Sequence, residues 1–283
     1  MAEKPTTAKE YSSDQTKLVR ATCLYVATIL GDYMEDIVIV GGLVPSLLID
    51  QDSLPEGTDQ HVGTIDLDVG LTLAILEDKR YEAVAKRLRR AGFSQDISDQ
   101  GNPTRQRWKI TEPGKVTMDF LIPPASEEEE GGKIRDIEED FAAVITPGLM
   151  LAFSDRKKIT LSGTTIKAET ATRDIWVCGP GSFIVLKALA FRNRGENKDA
   201  YDLYYHIRNY GVGIQDVAKA LKQILHEKET ISALQILKED FTEHDGVGVV
   251  RVAQFITGGK DDGIQADVVG FVRQLIDLCR AYA

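Results

Sequence analysis

The stretch Thr64-Ile65-Asp66-Leu67-Asp68-Val69-Gly70 places two carboxylates two residues apart among residues that favour β-strands. In a strand, residues i and i+2 point to the same face and lie about 6.6 Å apart, so Asp66 and Asp68 share one face while the apolar residues beside them face the core. Two acids held this close repel each other unless a cation lies between them. The stretch therefore predicts a divalent metal site, although the same triplet is also typical of a solvated strand face.

A pair of glycines precedes this stretch. The β-branched run Ile37-Val38-Ile39-Val40 ends in Gly41-Gly42, and residues 43–50 have the pattern of the start of a helix. Glycines let the backbone approach an anion closely, and the first amides of a helix point toward it. The arrangement predicts phosphate binding, with an ordinary tight turn as the alternative.

A third acid lies downstream in a strand of its own. Asp119 is the one charged residue of the apolar run 116–122. Burying an unpaired carboxylate is costly, so Asp119 needs a partner. It can lie on the face of Asp66 and Asp68 only if the two strands are neighbours in register. The alternative is a structural acid that pairs with a nearby base such as Arg107.

In this order, Gly41-Gly42, Asp66-x-Asp68 and Asp119 resemble the DNA polymerase β-like nucleotidyltransferase superfamily. The segments 187–192 and 198–203 resemble the fourth motif of its AbiEii-type toxin branch. The resemblance spans roughly residues 36–210. It implies an enzyme that uses Mg²⁺ or Mn²⁺ to move an NMP from a nucleoside triphosphate to an acceptor hydroxyl.

The resemblance also implies a role for each matched residue. Asp119 would lie nearest the attacking hydroxyl, and the two glycines would contact phosphate. Ser or Thr commonly follows the glycines in this superfamily, whereas Leu43-Val44-Pro45 stands here, so Ser46 is the substitute. The predicted catalytic residues are Asp66, Asp68, Asp119, Lys187, Lys198 and Asp199, the predicted nucleotide-binding residues are Gly41, Gly42, Ser46 and Lys187, and the predicted metal ligands are Asp66, Asp68 and Asp119.

For the two lysines, the residues alone favour a simpler interpretation. Lys198 and Asp202 are four apart on a predicted helix, a spacing typical of a surface ion pair. Only the resemblance gives Lys187, Lys198 and Asp199 a role toward a nucleotide. The departure at Leu43-Val44-Pro45 leaves the choice of nucleotide, and activity itself, open.

The resemblance is compatible with three functions. The AbiEii branch implies the toxin half of a toxin–antitoxin or phage-defence pair, with an RNA end such as that of tRNA as acceptor and a cognate antitoxin protein as partner. The second function is nucleotidylation of a small molecule or a protein, which the sequence pI of about 5.0 favours. The third is a degenerate domain that binds a nucleotide without catalysis.

The composition is typical of a soluble globular protein, with 283 residues of which 43% are hydrophobic and 28% charged. No apolar run approaches the roughly 20 residues of a membrane span, and the first residues lack the apolar segment of a signal peptide. We therefore expect a cytoplasmic protein with no membrane partner. The net charge of −10 argues against a broadly basic nucleic-acid surface, although 125–140, with eight acids and two bases, carries −6 of it.

The periodicity predicts an α/β (α+β) protein with two domains. A small mixed-sheet domain over 1–180 and an all-helical domain over 181–283 would meet at Gly179-Pro180-Gly181. The remaining predictions are local: a helix over 77–91, a solvated, mobile loop at the four glutamates and two glycines of 127–132, a hairpin over 158–167 that turns at Ser162-Gly163, and buried free thiols at Cys23, Cys178 and Cys279.

Overall fold

The computed structural model of the chain describes residues 5–72 and 80–281. They form a mixed β-sheet and a set of helices that includes the C-terminal region, so the predicted α/β (α+β) class is confirmed. The chain divides into two compact units. The first comprises the described residues of Ser13–Leu43 and Gly63–Cys178, and the second those of Glu3–Ser12, Val44–Val62 and Gly179–Ala283.

The division into domains at residue 180 stays a prediction. The second compact unit also includes segments that precede residue 180. The segments 5–12 and 44–62 group with the helical residues after Cys178. Ile49, for example, shares a buried cluster with Tyr201 and Phe255. The second unit is therefore assembled from three separate parts of the chain.

All strands of the sheet lie in the first unit. Their order is β3-β4-β5-β2-β1-β9-β8, with β7 also pairing with β5 and β6 pairing with β7. The pairs β2–β5, β1–β9 and β5–β7 are parallel, and the other pairs are antiparallel. The strands are β1 (Ile37–Val40), β2 (Asp66–Leu71), β3 (Ser94–Ile97), β4 (Pro103–Ile110), β5 (Val116–Ile122), β6 (Ile134–Glu138), β7 (Phe141–Ile145), β8 (Lys157–Thr164) and β9 (Thr170–Val177).

The second unit is helical. Its first long helix begins at Pro180, whose fixed φ suits a helical first turn, and is followed by Gly195 in the left-handed region (φ 65°). The α-helices within the described residues are α1 (Ser13–Leu30), α2 (Val44–Leu48), α3 (Arg80–Arg90), α4 (Leu149–Ser154), α5 (Pro180–Arg194), α6 (Asn197–Asn209), α7 (Ile214–Lys222), α8 (Lys228–Phe241), α9 (Val247–Thr257) and α10 (Asp262–Arg280). Of these, α2 and α5–α10 belong to the second unit, and the predicted helix start at 77–79 lies outside the described residues.

Central strands β2 and β5 separate an apolar face from a polar one. Leu67 and Phe120 are buried on the apolar face, as the alternation of residue types predicts. Trp108 and Phe141 pack against Phe120 there, with ring centroids 5.8 and 4.7 Å from it. Burial of this face fixes the direction of every side chain on both strands, because a shift of one residue would turn the acids into the core.

The predicted turn at Ser162-Gly163 is wrong. Strand β8 continues through both residues to Thr164, and the chain reverses over 165–169 before β9. The Thr165 hydroxyl oxygen accepts hydrogen bonds from the amides of Lys167 and Glu169, each at 3.3 Å, and so stabilises the later turn.

The acidic segment 125–140 contains the predicted loop at 127–132, whose residues lie in turns and are mostly exposed. Its second half forms β6, which pairs antiparallel with β7. Within its first half, Glu129 accepts hydrogen bonds from the Ala125 amide at 2.6 Å and from Nε of Arg135 at 3.0 Å. The predicted solvated loop is therefore present, and it is followed by a hairpin of β6 and β7 that the sequence did not predict.

Two predictions from composition are tested by the described residues. Cys23, Cys178 and Cys279 are free and buried, as expected. Across residues 5–72 and 80–281, no helix is both long and apolar enough to cross a membrane.

Candidate metal and phosphate site

Three acids converge on the polar face of the sheet. Strands β2 and β5 run parallel with Asp66 opposite Thr117 and Asp68 opposite Asp119, which is the neighbouring register that the sequence prediction required. One carboxylate oxygen from each of the three acids lies within 4.8 Å of the other two, and all three acids are half-buried. We call Asp66, Asp68 and Asp119 the acidic triad.

The donor set of the acidic triad fits a hard divalent cation. Mg²⁺ binds oxygens at about 2.0–2.1 Å in octahedral geometry, so its ligand oxygens are about 3 Å apart when adjacent and about 4.2 Å apart when opposite. The oxygens of the triad lie within 4.8 Å of one another, so small side-chain rotations would close them around an ion. Carboxylates also suit Mn²⁺. The triad therefore offers what a Mg²⁺ or Mn²⁺ site requires.

Gly41 gives Asp68 the room it needs. Gly41 follows Val40, the residue of β1 that lies opposite Asp68 of β2, and it has a left-handed φ of 72°. A Cβ atom at this position would lie 1.8 Å from Oδ2 of Asp68, so only glycine lets the backbone come this close. Gly41 thus has a structural role in the site that does not depend on phosphate.

The predicted phosphate role of the glycines stays a prediction. Gly41 and Gly42 form a 3₁₀ turn with Leu43, and α2 that follows is only five residues long. So short a helix has a weak dipole, which limits the attraction of its N-terminus for an anion. Ser46 is half-buried in α2, which belongs to the second unit.

Thr64 orients the first acid of the triad. Its buried hydroxyl donates a hydrogen bond to Oδ1 of Asp66 at 2.9 Å. The sequence prediction did not include Thr64, although the spacing of two residues to Asp66 is the usual one for a Ser or Thr side chain that bonds to its local backbone or a close neighbour.

Arg107 holds the third acid with both arms of its guanidinium. It lies opposite Asp119 on β4 and donates from Nε to Oδ1 at 2.6 Å and from Nη2 to Oδ2 at 2.5 Å. The hydrogen bonds to Asp119 raise the pKa of Arg107, burial opposes this shift, and the charges of Asp119, Asp66 and Asp68 add to it. The alternative partner that the sequence offered for Asp119 is therefore present in the structure.

The predicted residues of the second unit form a buried network of ion pairs. Nζ of Lys187 lies 3.0 Å from Oδ1 of Asp199 and 2.8 Å from Oδ2 of Asp202. Arg194 donates to both oxygens of Asp199, at 2.6 and 2.8 Å, and Lys198 pairs with Asp202. We call these five side chains the ion network. The expected pair Lys198–Asp202 forms, but the surface position expected for it is wrong because both residues are buried.

The charges of the ion network stabilise each other against the cost of burial. Burial alone would lower the pKa of Lys187, but Asp202 and Asp199 outweigh it and raise that pKa. Burial would raise the pKa of Asp202, but Lys187 and Lys198 hold it well below the usual range. Burial and the charge of Lys187 lower the pKa of Lys198 despite the nearby Asp202.

His61 contacts the ion network through Asp202. Its Nε2 lies 2.8 Å from Oδ1 of Asp202, across 141 positions of sequence. Burial, with the charge of Lys198, lowers the pKa of His61 to about 4. The ring is thus neutral at pH 7, and Nε2 must carry the proton that it donates to Asp202. No spacing of the histidines in the sequence predicted this contact.

Comparison with known proteins gives weak likenesses to solved structures. No protein-family model matches the chain, and no curated protein matches it. The solved structure of the CD-NTase CdnG from Bradyrhizobium diazoefficiens in complex with GTP aligns with a TM-score of 0.28 and 10% sequence identity, over 97% of this chain and 88% of that chain. A likeness at this TM-score carries no argument about function.

Proposed function

We propose that the protein is a metal-dependent nucleotidyltransferase that moves an NMP from a nucleoside triphosphate to an acceptor hydroxyl. The observation that carries the proposal is the acidic triad, in which three carboxylates from two parallel strands lie within 4.8 Å of one another on one face. These three acids are the ones to which the resemblance to polymerase β-like enzymes gives the role of metal ligands. Phosphoryl transfer depends mainly on positioning and charge neutralisation, which such a cluster supplies.

The residues of the triad have distinct roles in this proposal. The acceptor hydroxyl oxygen bonds to the α-phosphorus, the bond from that phosphorus to the β-phosphate oxygen breaks, and pyrophosphate leaves. Asp119 accepts the hydroxyl proton or directs it to water. Thr64 orients Asp66 by a hydrogen bond, and Gly41 leaves space for the carboxylate of Asp68. A divalent metal, when bound to the carboxylates, would neutralise the charge on the phosphate oxygens.

Metal-dependent nucleotide binding without transfer is the second candidate function. Both oxygens of Asp119 accept hydrogen bonds from Arg107, which leaves this acid less free to take a proton. Leu43 also stands where the superfamily commonly has a hydroxyl beside the phosphate. Both features are compatible with a site that keeps its metal and nucleotide but not its chemistry.

We assign Lys187, Lys198 and Asp199 to the ion network that joins α5, α6 and His61 in the second unit. Each lysine has a carboxylate partner, so a nucleotide phosphate would have to share the ammonium group with that carboxylate or displace it. Contact with a nucleotide stays a prediction for these three residues and for Ser46.

The acceptor and the partner are proposed from the resemblance alone. An RNA end such as that of tRNA is the first acceptor class, with an antitoxin protein as the partner of a toxin. A small molecule or a protein is the second acceptor class, and the net charge of −10 favours it over a long nucleic acid.

Incubation with each α-³²P-labelled nucleoside triphosphate, Mg²⁺ and total RNA separates these functions. Label in RNA supports an RNA acceptor, and label in protein or small molecules supports the second class. Nucleotide binding without release of pyrophosphate supports the non-catalytic candidate. Asp66→Asn is the matched control, because it removes one triad charge while keeping the shape of the side chain. Equal labelling by this variant and the parent would contradict the proposed site.

A further inference from the structure

We propose that Arg107 is a displaceable counter-ion of the acidic triad, an inference that rests on the proposed function. Its guanidinium holds Asp119 in the metal-free protein and gives up at least one carboxylate oxygen when a divalent metal binds. Pairing of Arg107 with Asp119 and binding of metal therefore compete.

The competition follows from how Asp119 is bonded. Nε and Nη2 of Arg107 occupy both of its oxygens, at 2.6 and 2.5 Å. An oxygen of the same carboxylate lies within 4.8 Å of oxygens of Asp66 and Asp68, so the guanidinium and a shared metal need the same group. A cation and a guanidinium on one carboxylate also repel each other, so the two occupants disfavour one another even if each keeps one oxygen.

Arg107 has the charge that the metal-free site needs. Three carboxylates within 4.8 Å carry three negative charges if all are ionised, and the guanidinium offsets one of them. An arginine does not lose its proton at any ordinary pH, so its charge leaves the site only if the side chain moves. The Arg107 side chain is 32% exposed, against 15% for Asp119, so it has solvent to move into.

Lys109, the neighbouring lysine on the same face of β4, pairs with Asp96. Lys109 lies two residues from Arg107 and is directed to Asp96, with Nζ 3.1 Å from Oδ1. The second oxygen of Asp96 binds Lys115 at 3.2 Å. Asp96 therefore engages both lysines, whereas the guanidinium of Arg107 is in direct contact with Asp119, where metal would displace it.

Titration of the metal-free protein with Mn²⁺ alone, by calorimetry, tests the proposal in Arg107→Gln. We expect Mn²⁺ to bind this variant at least about tenfold more tightly than the parent, because the competing charge is gone. Melting in EDTA should occur at a lower temperature than for the parent, because the acids then repel without compensation. Arg105→Gln is the matched control. It removes the same charge two residues along the strand, where the arginine pairs with Asp136 at 2.9 Å, and should leave the Mn²⁺ affinity within about twofold.

Arg107→Lys keeps the test informative if the glutamine variant does not fold. Lysine retains the charge but lacks the fork that holds both oxygens, so Mn²⁺ affinity should rise by a smaller factor than in Arg107→Gln. Unchanged Mn²⁺ affinity in either foldable variant would overturn the proposal. Weaker binding would overturn it too, because Arg107 would then position Asp119 for the metal. If the parent binds no Mn²⁺ at all, the metal site of the proposed function fails together with this inference, whereas tight parental binding with unchanged variants refutes this inference alone.

Discussion

A Cβ atom on Gly41 would lie 1.8 Å from Oδ2 of Asp68, so the first glycine of the pair lies directly against an acid of the triad. The two residues meet because Val40, next to Gly41, lies opposite Asp68 across the antiparallel strands β1 and β2. A residue larger than glycine at position 41 would therefore displace Asp68, one of the predicted metal ligands.

Gly41→Ala should therefore damage the site through Asp68. We expect a loss of about 2–4 kcal/mol of unfolding free energy, from the left-handed φ and the displaced carboxylate together, and at least tenfold weaker Mn²⁺ binding. Chemical denaturation and calorimetry measure the two effects. Gly101→Ala is the matched control, since Gly101 has φ 82° with nothing within 4 Å of its added Cβ. Parental Mn²⁺ affinity in Gly41→Ala would show that Asp68 does not depend on this contact.

Asp119→Asn separates catalysis from folding. The variant keeps the shape of the side chain but loses the charge that would draw the proton from the acceptor hydroxyl. We expect nucleotidyl transfer to fall by about two orders of magnitude or more, while nucleotide binding with Mg²⁺ survives through Asp66 and Asp68. Loss of the ion pair with Arg107 should also lower the unfolding free energy by about 1–2 kcal/mol.

The double variant Arg107→Gln/Asp119→Asn distinguishes the two roles of this acid. It removes both partners, so the unfolding free energy should recover while transfer stays low. Recovery of transfer together with stability would mean that Asp119 acts only as a structural acid. Parental transfer by the folded single variant would rule out its catalytic role altogether.

The sequence predicts the faces of the central strands better than their neighbours in the sheet. The alternation around Asp66 and Asp68 is local, so it shows which side chains are buried. Asp68 and Asp119 are about fifty positions apart in the sequence, so no local pattern predicts that they pair. The sequence shows only that Asp119 can reach the other two acids if their strands are neighbours in register. Strand β9 was missed because four of the first five residues of its run Thr170–Val177 are polar and exposed, which weakens the strand pattern.

The ion network shows the same limit in the second unit. A spacing of four predicts that Lys198 meets Asp202, and they do pair. Whether the pair is buried depends on distant residues such as His61, which no local pattern connects to α6. The helical character predicted for residues 181–283 is confirmed, because an amphipathic pattern is local.

Lys187→Met tests the structural role of the ion network. Removal of this lysine leaves two buried carboxylates with one cation fewer between them, so we expect the unfolding free energy to fall by about 3–5 kcal/mol. Urea denaturation measures the change. Lys219→Met, at an exposed lysine of α7, is the control and should stay within about 0.5 kcal/mol of the parent. A Lys187→Met protein with parental stability and lost nucleotide affinity would instead make Lys187 a nucleotide ligand.

His206 should make stability depend on pH. It is fully buried between Phe183 and Tyr210, and neither ring nitrogen has a hydrogen-bond partner among the described residues. Burial lowers its pKa to about 3, whereas an unfolded histidine has a pKa near 6.5. Above pH 6.5 both states are neutral. As the pH falls from 6.5 toward 3, the unfolded state takes up the proton first, so stability is progressively lost.

His206→Phe removes this proton and keeps an aromatic ring in the same packing. We expect the variant to be more stable than the parent, by about 1–2 kcal/mol at pH 7.5 and by roughly 2 kcal/mol more at pH 5.0. Urea denaturation at the two pH values measures both differences. An equal difference at pH 7.5 and pH 5.0 would show that His206 does not titrate as its burial requires.

The acidic triad is the centre of the account, and Mn²⁺ binding by Asp66→Asn/Asp68→Asn tests it most directly. Loss of two adjacent negative charges relieves their repulsion, so the metal-free variant should melt at a higher temperature than the parent. Asp32→Asn, at an exposed acid outside the triad, is the control for the loss of charge and should bind Mn²⁺ like the parent.

The measurement is a calorimetric Mn²⁺ titration with a parallel melting curve for each protein. We predict saturable binding and a metal-induced rise in melting temperature for the parent and for Asp32→Asn, and neither effect for Asp66→Asn/Asp68→Asn. Equal Mn²⁺ affinity and equal melting shifts in the double variant and the parent would contradict the account.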